Sequence, residues 1–154
     1  LLTMLRLGAA DKPLSIVADQ WGAPTTARLI ASTVAVVLAK SLRKGRVAHL
    51  GAVRPRLEAT GTFNLCAAGA TTWHGFATEI FRLREALTGS PAPVITATDS
   101  SAFRTAATRP ANSRLSLERL EDVFGIAMPH WTDALEMLMA DGRATLAEHL
   151  LNHR

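Results

Sequence analysis

Apolar positions change spacing several times along the chain, and each change marks an element. Leu14-Ser15-Ile16-Val17-Ala18 is a short run with β-branched residues, closed by Asp19 and Gly22, and it predicts a strand. Pro24 carries the fixed φ of a first helical turn, with Thr25 and Thr26 as capping hydroxyls. Residues 27–41 continue as a helix that is apolar nearly all round, which predicts burial on several sides. Lys40, Arg43 and Lys44 stand at its end, where cations complement the helix dipole. Residues 43–60 have no period and read as a surface loop. Thr62-Phe63-Asn64-Leu65-Cys66, between Gly61 and Ala67-Ala68-Gly69, predicts a second strand.

The clearest helix follows. Thr72 is its N-cap, and Trp73, Phe76, Ala77, Ile80, Leu83 or Arg84, and Leu87 recur at helical spacing while Glu79, Arg82 and Glu85 stay outside. Gly89-Ser90-Pro91 stops it, and Pro93-Val94-Ile95-Thr96 predicts a third strand. Residues 100–113 are polar and irregular, with one helical turn. Ser116 caps a short helix bearing Leu117, Leu120 and Phe124, with Gly125 as its stop. Trp131, Leu135 and Leu138 mark another helix, ended by Asp141-Gly142, and a last one spans about 144–151. This alternation is an α/β pattern with few short strands and about five helices. The strands are few for so much apolar surface, so the sheet is expected to be incomplete, with its remaining strands upstream. Leu1 opens an apolar, helix-like stretch, as if the reading began inside a helix of a longer chain.

Composition narrows the class. A hydrophobic fraction of 48% with 19% charged residues is globular rather than disordered. The net charge of +4 raises nucleic acid as a partner. The arginines are scattered, however, with local clusters only at Arg43-Lys44-Gly45-Arg46 and Arg54-Pro55-Arg56, and tyrosine is absent, so no nucleic-acid partner is expected. The apolar stretch 29–39, bracketed by Arg28 and Lys40, is about half of the roughly 20 residues a membrane span needs, so no membrane partner is expected either. A single cysteine, Cys66, permits no internal disulfide and suits a reducing, cytoplasmic setting.

Several motifs then line up in order. Asp19-Gln20-Trp21-Gly22-Ala23-Pro24-Thr25 resembles the Asp-Gln-x-Gly-x-Pro-Thr signature of dTDP-4-dehydrorhamnose reductases, which are extended short-chain dehydrogenases. Gly61-Thr62-Phe63-Asn64-Leu65, Gly69 and Thr72-Trp73-His74-Gly75-Phe76-Ala77 are similar to that family's Gly-x-Tyr-His-Leu, Gly and Ser-Trp-x-x-Phe-Ala. Arg109-Pro110-Ala111-Asn112-Ser113-Arg114-Leu115 resembles its Arg-Pro-x-x-Ser-x-Leu, and Trp131 with Leu135 its closing Trp-x-x-x-Leu. The resemblance covers nearly the whole chain but only about the second half of the family's length.

What it implies is the carboxy-terminal part of an extended Rossmann-type reductase: residues 1–154 as the nucleotide-sugar-binding part, without the amino-terminal cofactor domain. The implied reaction is NADPH reduction of the C4 ketone of dTDP-4-dehydro-L-rhamnose to dTDP-L-rhamnose. The family's proton donor is the Tyr of Tyr-x-x-x-Lys. This chain has no tyrosine, and its ten glycines form no Gly-rich cofactor turn after a strand. No catalytic or cofactor-binding residue is therefore expected within it, and the chain alone is expected to be inactive. A homodimer is the expected assembly at full length. Mg²⁺ at a dimer contact is doubtful, because Arg28 stands where some members carry a Glu. The alternative is a non-catalytic, regulatory or partner-binding member of the same family.

Three residues are the substrate-binding candidates. A guanidinium at Arg109 suits a diphosphate, against a purely structural tie to backbone carbonyls. Gln20 and Thr25 lie on a strand-to-helix turn, where a ligand or simple capping accounts for them equally well. Helical spacing assigns Trp73 to the core rather than to stacking on a ligand, while Trp21 in its turn is open to either. Gly69 before Thr71 and Thr72 reads as a capped turn rather than a phosphate cradle. His149 and His153 are four apart, but no third ligand is evident and no metal site is expected.

Overall fold

A computed structural model describes residues 1–10, 12–43, 60–103, 107 and 109–142. In chain order these form α1 (Leu2–Gly8), β1 (Leu14–Val17), β2 (Trp21–Gly22), α2 (Ala27–Arg43), β3 (Thr71–Thr72), α3 (Trp73–Thr88), β4 (Ile95–Thr98), α4 (Glu118–Phe124) and α5 (Trp131–Asp141), with a 3-10 turn at Ser100–Ala102. The predicted loop over 43–60 and the last helix at 144–151 fall almost entirely outside the described residues, as do His149 and His153.

The strands do not make one sheet of three. β1 and β4 pair in parallel, Leu14 opposite Ile95 through Val17 opposite Thr98, while β2 and β3 form a separate antiparallel pair. The third strand sits at 95–98 rather than 93–96. Pro93 has no N–H for a ladder, and Val94, 69% exposed, contributes its carbonyl to Leu14 N.

The expected strand at 62–66 is not part of any ladder. Its backbone is held by side chains instead: Arg119 donates to the carbonyls of Thr60 and Thr62, and Asn64 Nδ2 reaches Ser116 O at 3.0 Å. Phe63 is covered by the Arg119 guanidinium, 4.5 Å from its ring centre, and by the edge of Phe124. An alternating sequence buries one face equally well against a loop, so alternation alone did not distinguish the two arrangements.

α3 organises the core. Thr72 caps it, accepting from Gly75 N at 3.1 Å, and Gly89 ends it in the left-handed region at φ 70°. Its inward face of Ala77, Ile80, Phe81 and Leu83 packs with Leu5, Ile16, Ala67, Trp131, Leu135 and Met139 in one cluster. Arg84 is buried within this face. Its NH1 donates to Gly8 O at 3.1 Å and its NH2 to Pro91 O at 2.6 Å, with the guanidinium carbon 5.3 Å from the Phe81 ring centre. One side chain thus ties the end of α1 to the exit of α3. Gly8 must be glycine here, since a Cβ would overlap the Phe81 ring.

α2 departs from expectation. Leu29, Thr33 and Val37 turn inward, with Thr33 bonded to Leu29 O at 2.8 Å, but Ile30, Val34, Val36 and Leu38 are all 42–52% exposed. The helix is amphipathic by packing, not buried on several sides. Among the described residues nothing covers its apolar outer face. Pro24 also lies outside the helix: Thr26 is the capping residue, accepting from Leu29 N at 3.2 Å.

Two outcomes follow. Arg84→Ala leaves two backbone carbonyls without their charged donor and is expected to destabilise the fold by about 2 kcal/mol in thermal or urea denaturation. Arg84→Lys is expected to recover little of this, since one ammonium does not reproduce the guanidinium fork. The chain is expected to self-associate through apolar surface such as α2, and Val34→Lys with Leu38→Lys is expected to shift sedimentation toward monomer.

Candidate functional site

The turn after β1 is fixed by its acid. Asp19 accepts the Ser100 hydroxyl at 2.7 Å and the Ser100 N–H at 3.1 Å, and Ser100's hydroxyl bond is the main cause holding this carboxyl below its ordinary value of 3.8. The chain then runs straight into β2, whose Trp21 is bonded on both sides. Trp21 pairs with Thr72 across the antiparallel ladder. On its other side Trp21 N donates to Ala111 O at 2.8 Å, and Trp21 O accepts from Ser113 N at 2.9 Å. The result is a narrow three-stranded strip with β2 in the middle. Two-residue strands have no period, so the strip was not legible beforehand.

This strip floors a cleft of about 570 Å³, within the range of small-molecule sites. Gln20, Thr25 and Arg109, separate in sequence, all line it. So do all three tryptophans of the chain, Trp21, Trp73 and Trp131. Phe76, Leu135 and Leu138 complete an apolar wall from α3 and α5, with the Phe76 ring edge-on to Trp131 at 6.1 Å. Among the described residues Arg109 is the one charged side chain lining the cleft, and it has no hydrogen-bond or ion-pair partner there.

Thr25 is different. Its hydroxyl donates to Ala23 O at 2.9 Å and accepts from Ala67 N at 3.1 Å, so it locks the turn onto the 60–68 segment while facing the cleft. Trp73 corrects the periodicity: it is 49% exposed, because the first turn of α3 projects past the core into the cleft rim. Gly69, at φ 79°, leaves no open cradle, since the His130 ring occupies the space where its Cβ would lie. His130 in turn caps α5.

Arg28 forms an ion pair with Asp141 at the surface. Among the described residues no three or more His, Cys, Asp or Glu side chains are grouped as metal ligands. No described helix is long and apolar enough to cross a membrane.

The described residues thus form an α/β chain with a largely apolar cleft lined by one guanidinium, that of Arg109. The comparisons give it a family: residues 1–144 match the model of the RmlD substrate binding domain, and the chain belongs to that family. A dTDP-4-dehydrorhamnose reductase from Burkholderia thailandensis is 42% identical over 145 residues, covering 92% of this chain and 46% of its own. The solved dTDP-4-dehydrorhamnose reductase of Clostridium acetobutylicum aligns with a TM-score of 0.70 at 29% identity, over 88% of this chain and 41% of that one. That of Bacillus anthracis, solved in complex with NADP, aligns equally well at 26% identity, over 91% and 42%. The chain thus spans under half the length of these reductases.

The Asp19–Ser100 link sets an acid limb on stability. A carboxyl with a depressed folded pKa stabilises above its unfolded value and loses that contribution as pH falls through the folded one. The melting temperature is therefore expected to drop below about pH 4, and Asp19→Asn is expected to lower it at neutral pH and flatten that limb, as followed by circular dichroism.

Proposed function

We propose that this chain is the nucleotide-sugar-binding part of an NADPH-dependent reductase that converts dTDP-4-dehydro-L-rhamnose to dTDP-L-rhamnose. The observation that carries this reading is the convergence of Gln20, Thr25 and Arg109 on one aromatic cleft in a chain of the RmlD substrate binding domain family. Arg109 holds the diphosphate: its fork matches phosphate oxygens, and no carboxylate among the described lining residues competes for it. Gln20, beside Trp21 at the strip, offers an amide donor and acceptor to sugar hydroxyls. Thr25 positions the turn, its hydroxyl being already engaged.

The described residues include no turn suited to the pyrophosphate of a nicotinamide cofactor. A pyrophosphate turn needs glycines between a strand and a helix. The turn from β1 toward α2 carries only Gly22, and the left-handed Gly69 is packed by His130. On this reading the hydride donor and proton donor belong to the remainder of the reductase, and the work of this chain is to bind and orient the sugar nucleotide. The same reading carries a cytoplasmic setting and a homodimer at full length, with Arg28 paired to Asp141 rather than making way for Mg²⁺.

Calorimetric titration tests it. Thymidine diphosphate is expected to bind the chain saturably, NADPH is not, and no ketone-dependent NADPH oxidation is expected from the chain alone. Arg109→Ala is expected to weaken thymidine diphosphate about tenfold, the equivalent of one charge-assisted hydrogen bond. Absence of diphosphate binding, or an Arg109→Ala variant that binds unchanged, contradicts the assignment.

A further inference from the structure

The two exposed indoles of the cleft have no task in the binding scheme so far. Trp21 is 46% and Trp73 49% exposed, whereas Trp131, on the same cleft, is 7% exposed. Trp131 meets Phe76 edge-on and His130 at a tilt, but neither Trp21 nor Trp73 has an aromatic or cationic ring partner among the described residues. Both are nonetheless fixed at the root. Trp21 is bonded through its main chain to the 111–113 segment and paired with Thr72, and Trp73 directly follows Thr72 as the first residue of capped α3. The strip therefore holds two half-exposed indoles in position at the cleft.

Their placement relative to Arg109 is ordered. Across the strip run Thr71–Thr72, then Trp21–Gly22, then residues 111–113, to which Arg109 leads. Trp73 and Arg109 thus stand on opposite flanks of Trp21, the former offering π surface and the latter charge. A nucleoside diphosphate has the same polarity, with a planar heterocycle at one end and phosphates at the other.

We infer that Trp21 and Trp73 are the base-recognition residues of this cleft, stacking the planar base of the nucleotide while Arg109 takes its phosphates. This rests on the nucleotide-sugar assignment and adds to it which side chains hold the base. Stacking on an indole needs no hydrogen-bond pattern, so it supplies affinity for any flat heterocycle and leaves the choice of sugar to the polar groups.

Titrations of thymidine diphosphate and of inorganic pyrophosphate into the protein and into Trp21→Ala, Trp73→Ala and Trp73→Phe variants test it, with thermal melts run on each. Each alanine variant is expected to weaken thymidine diphosphate on the order of tenfold, the scale of one base–aromatic stack, and to leave pyrophosphate unchanged. Trp73→Phe is expected to restore most of the loss, with melting unaltered. Two alanine variants that bind thymidine diphosphate as the unsubstituted protein does overturn the stacking role and leave the nucleotide-sugar assignment standing. Equal losses for both ligands also overturn it, since they report a distorted strip. An unsubstituted protein that binds no thymidine diphosphate overturns both.

Discussion

The burial of one face of α3 is the constraint on which the other elements depend. The parallel pair β1–β4, the helices α1 and α5, and β3 all pack against this helix. Ala77, Ile80 and Phe81 on it are at most 1% exposed. Two parallel strands have no stability as an isolated sheet, so their alignment is held by Ile16 and Leu14 resting on this helix. Arg84 extends the same control to the chain on either side, because its two carbonyl partners lie before β1 and after α3. Burial lowers its pKa from the ordinary guanidinium value while the nearby Glu85 charge acts the other way, and its hydrogen bonds run to main-chain carbonyls.

The cleft is a by-product of where α3 begins. Its capped first turn brings Trp73 and Phe76 to the cleft, Phe76 also packing on the core, and sets Thr72 against Trp21. The 109–113 segment then completes the strip through Trp21's own backbone, carrying Arg109 with it. A ligand site built this way is rigid where the main chain is paired and adaptable only at side-chain ends.

What the sequence made legible were elements with local signals. Thr72, Gly89 and Gly125 act within one turn, so α3 and the end of α4 fell where their caps place them. Period and composition said nothing about β2 and β3, which are too short to alternate, nor about residues 62–66, whose alternation is satisfied by Arg119 and Asn64 instead of a neighbouring strand. Trp73 was misassigned for a related reason: helical spacing gives a face but not how far along the helix the core extends. The outer face of α2 could not be read correctly either, because an all-round apolar helix looks the same whether its neighbours are present or not. That Gln20, Thr25 and Arg109 share a cleft depended on pairing across 90 residues of sequence, as between Trp21 and Asn112. Their suggestion as a set came through the family resemblance rather than through spacing.

Because all three tryptophans line the cleft, the chain reports on its own site. The most direct test of the account is the nitrogen-15 correlation spectrum of the indole N–H groups during titration with thymidine diphosphate. The account predicts that all three indole signals move saturably and together, the Trp21 and Trp73 signals most, with a midpoint that Arg109→Ala raises. Indole signals that stay in place while thymidine diphosphate binds would put the nucleotide elsewhere on the surface and contradict it.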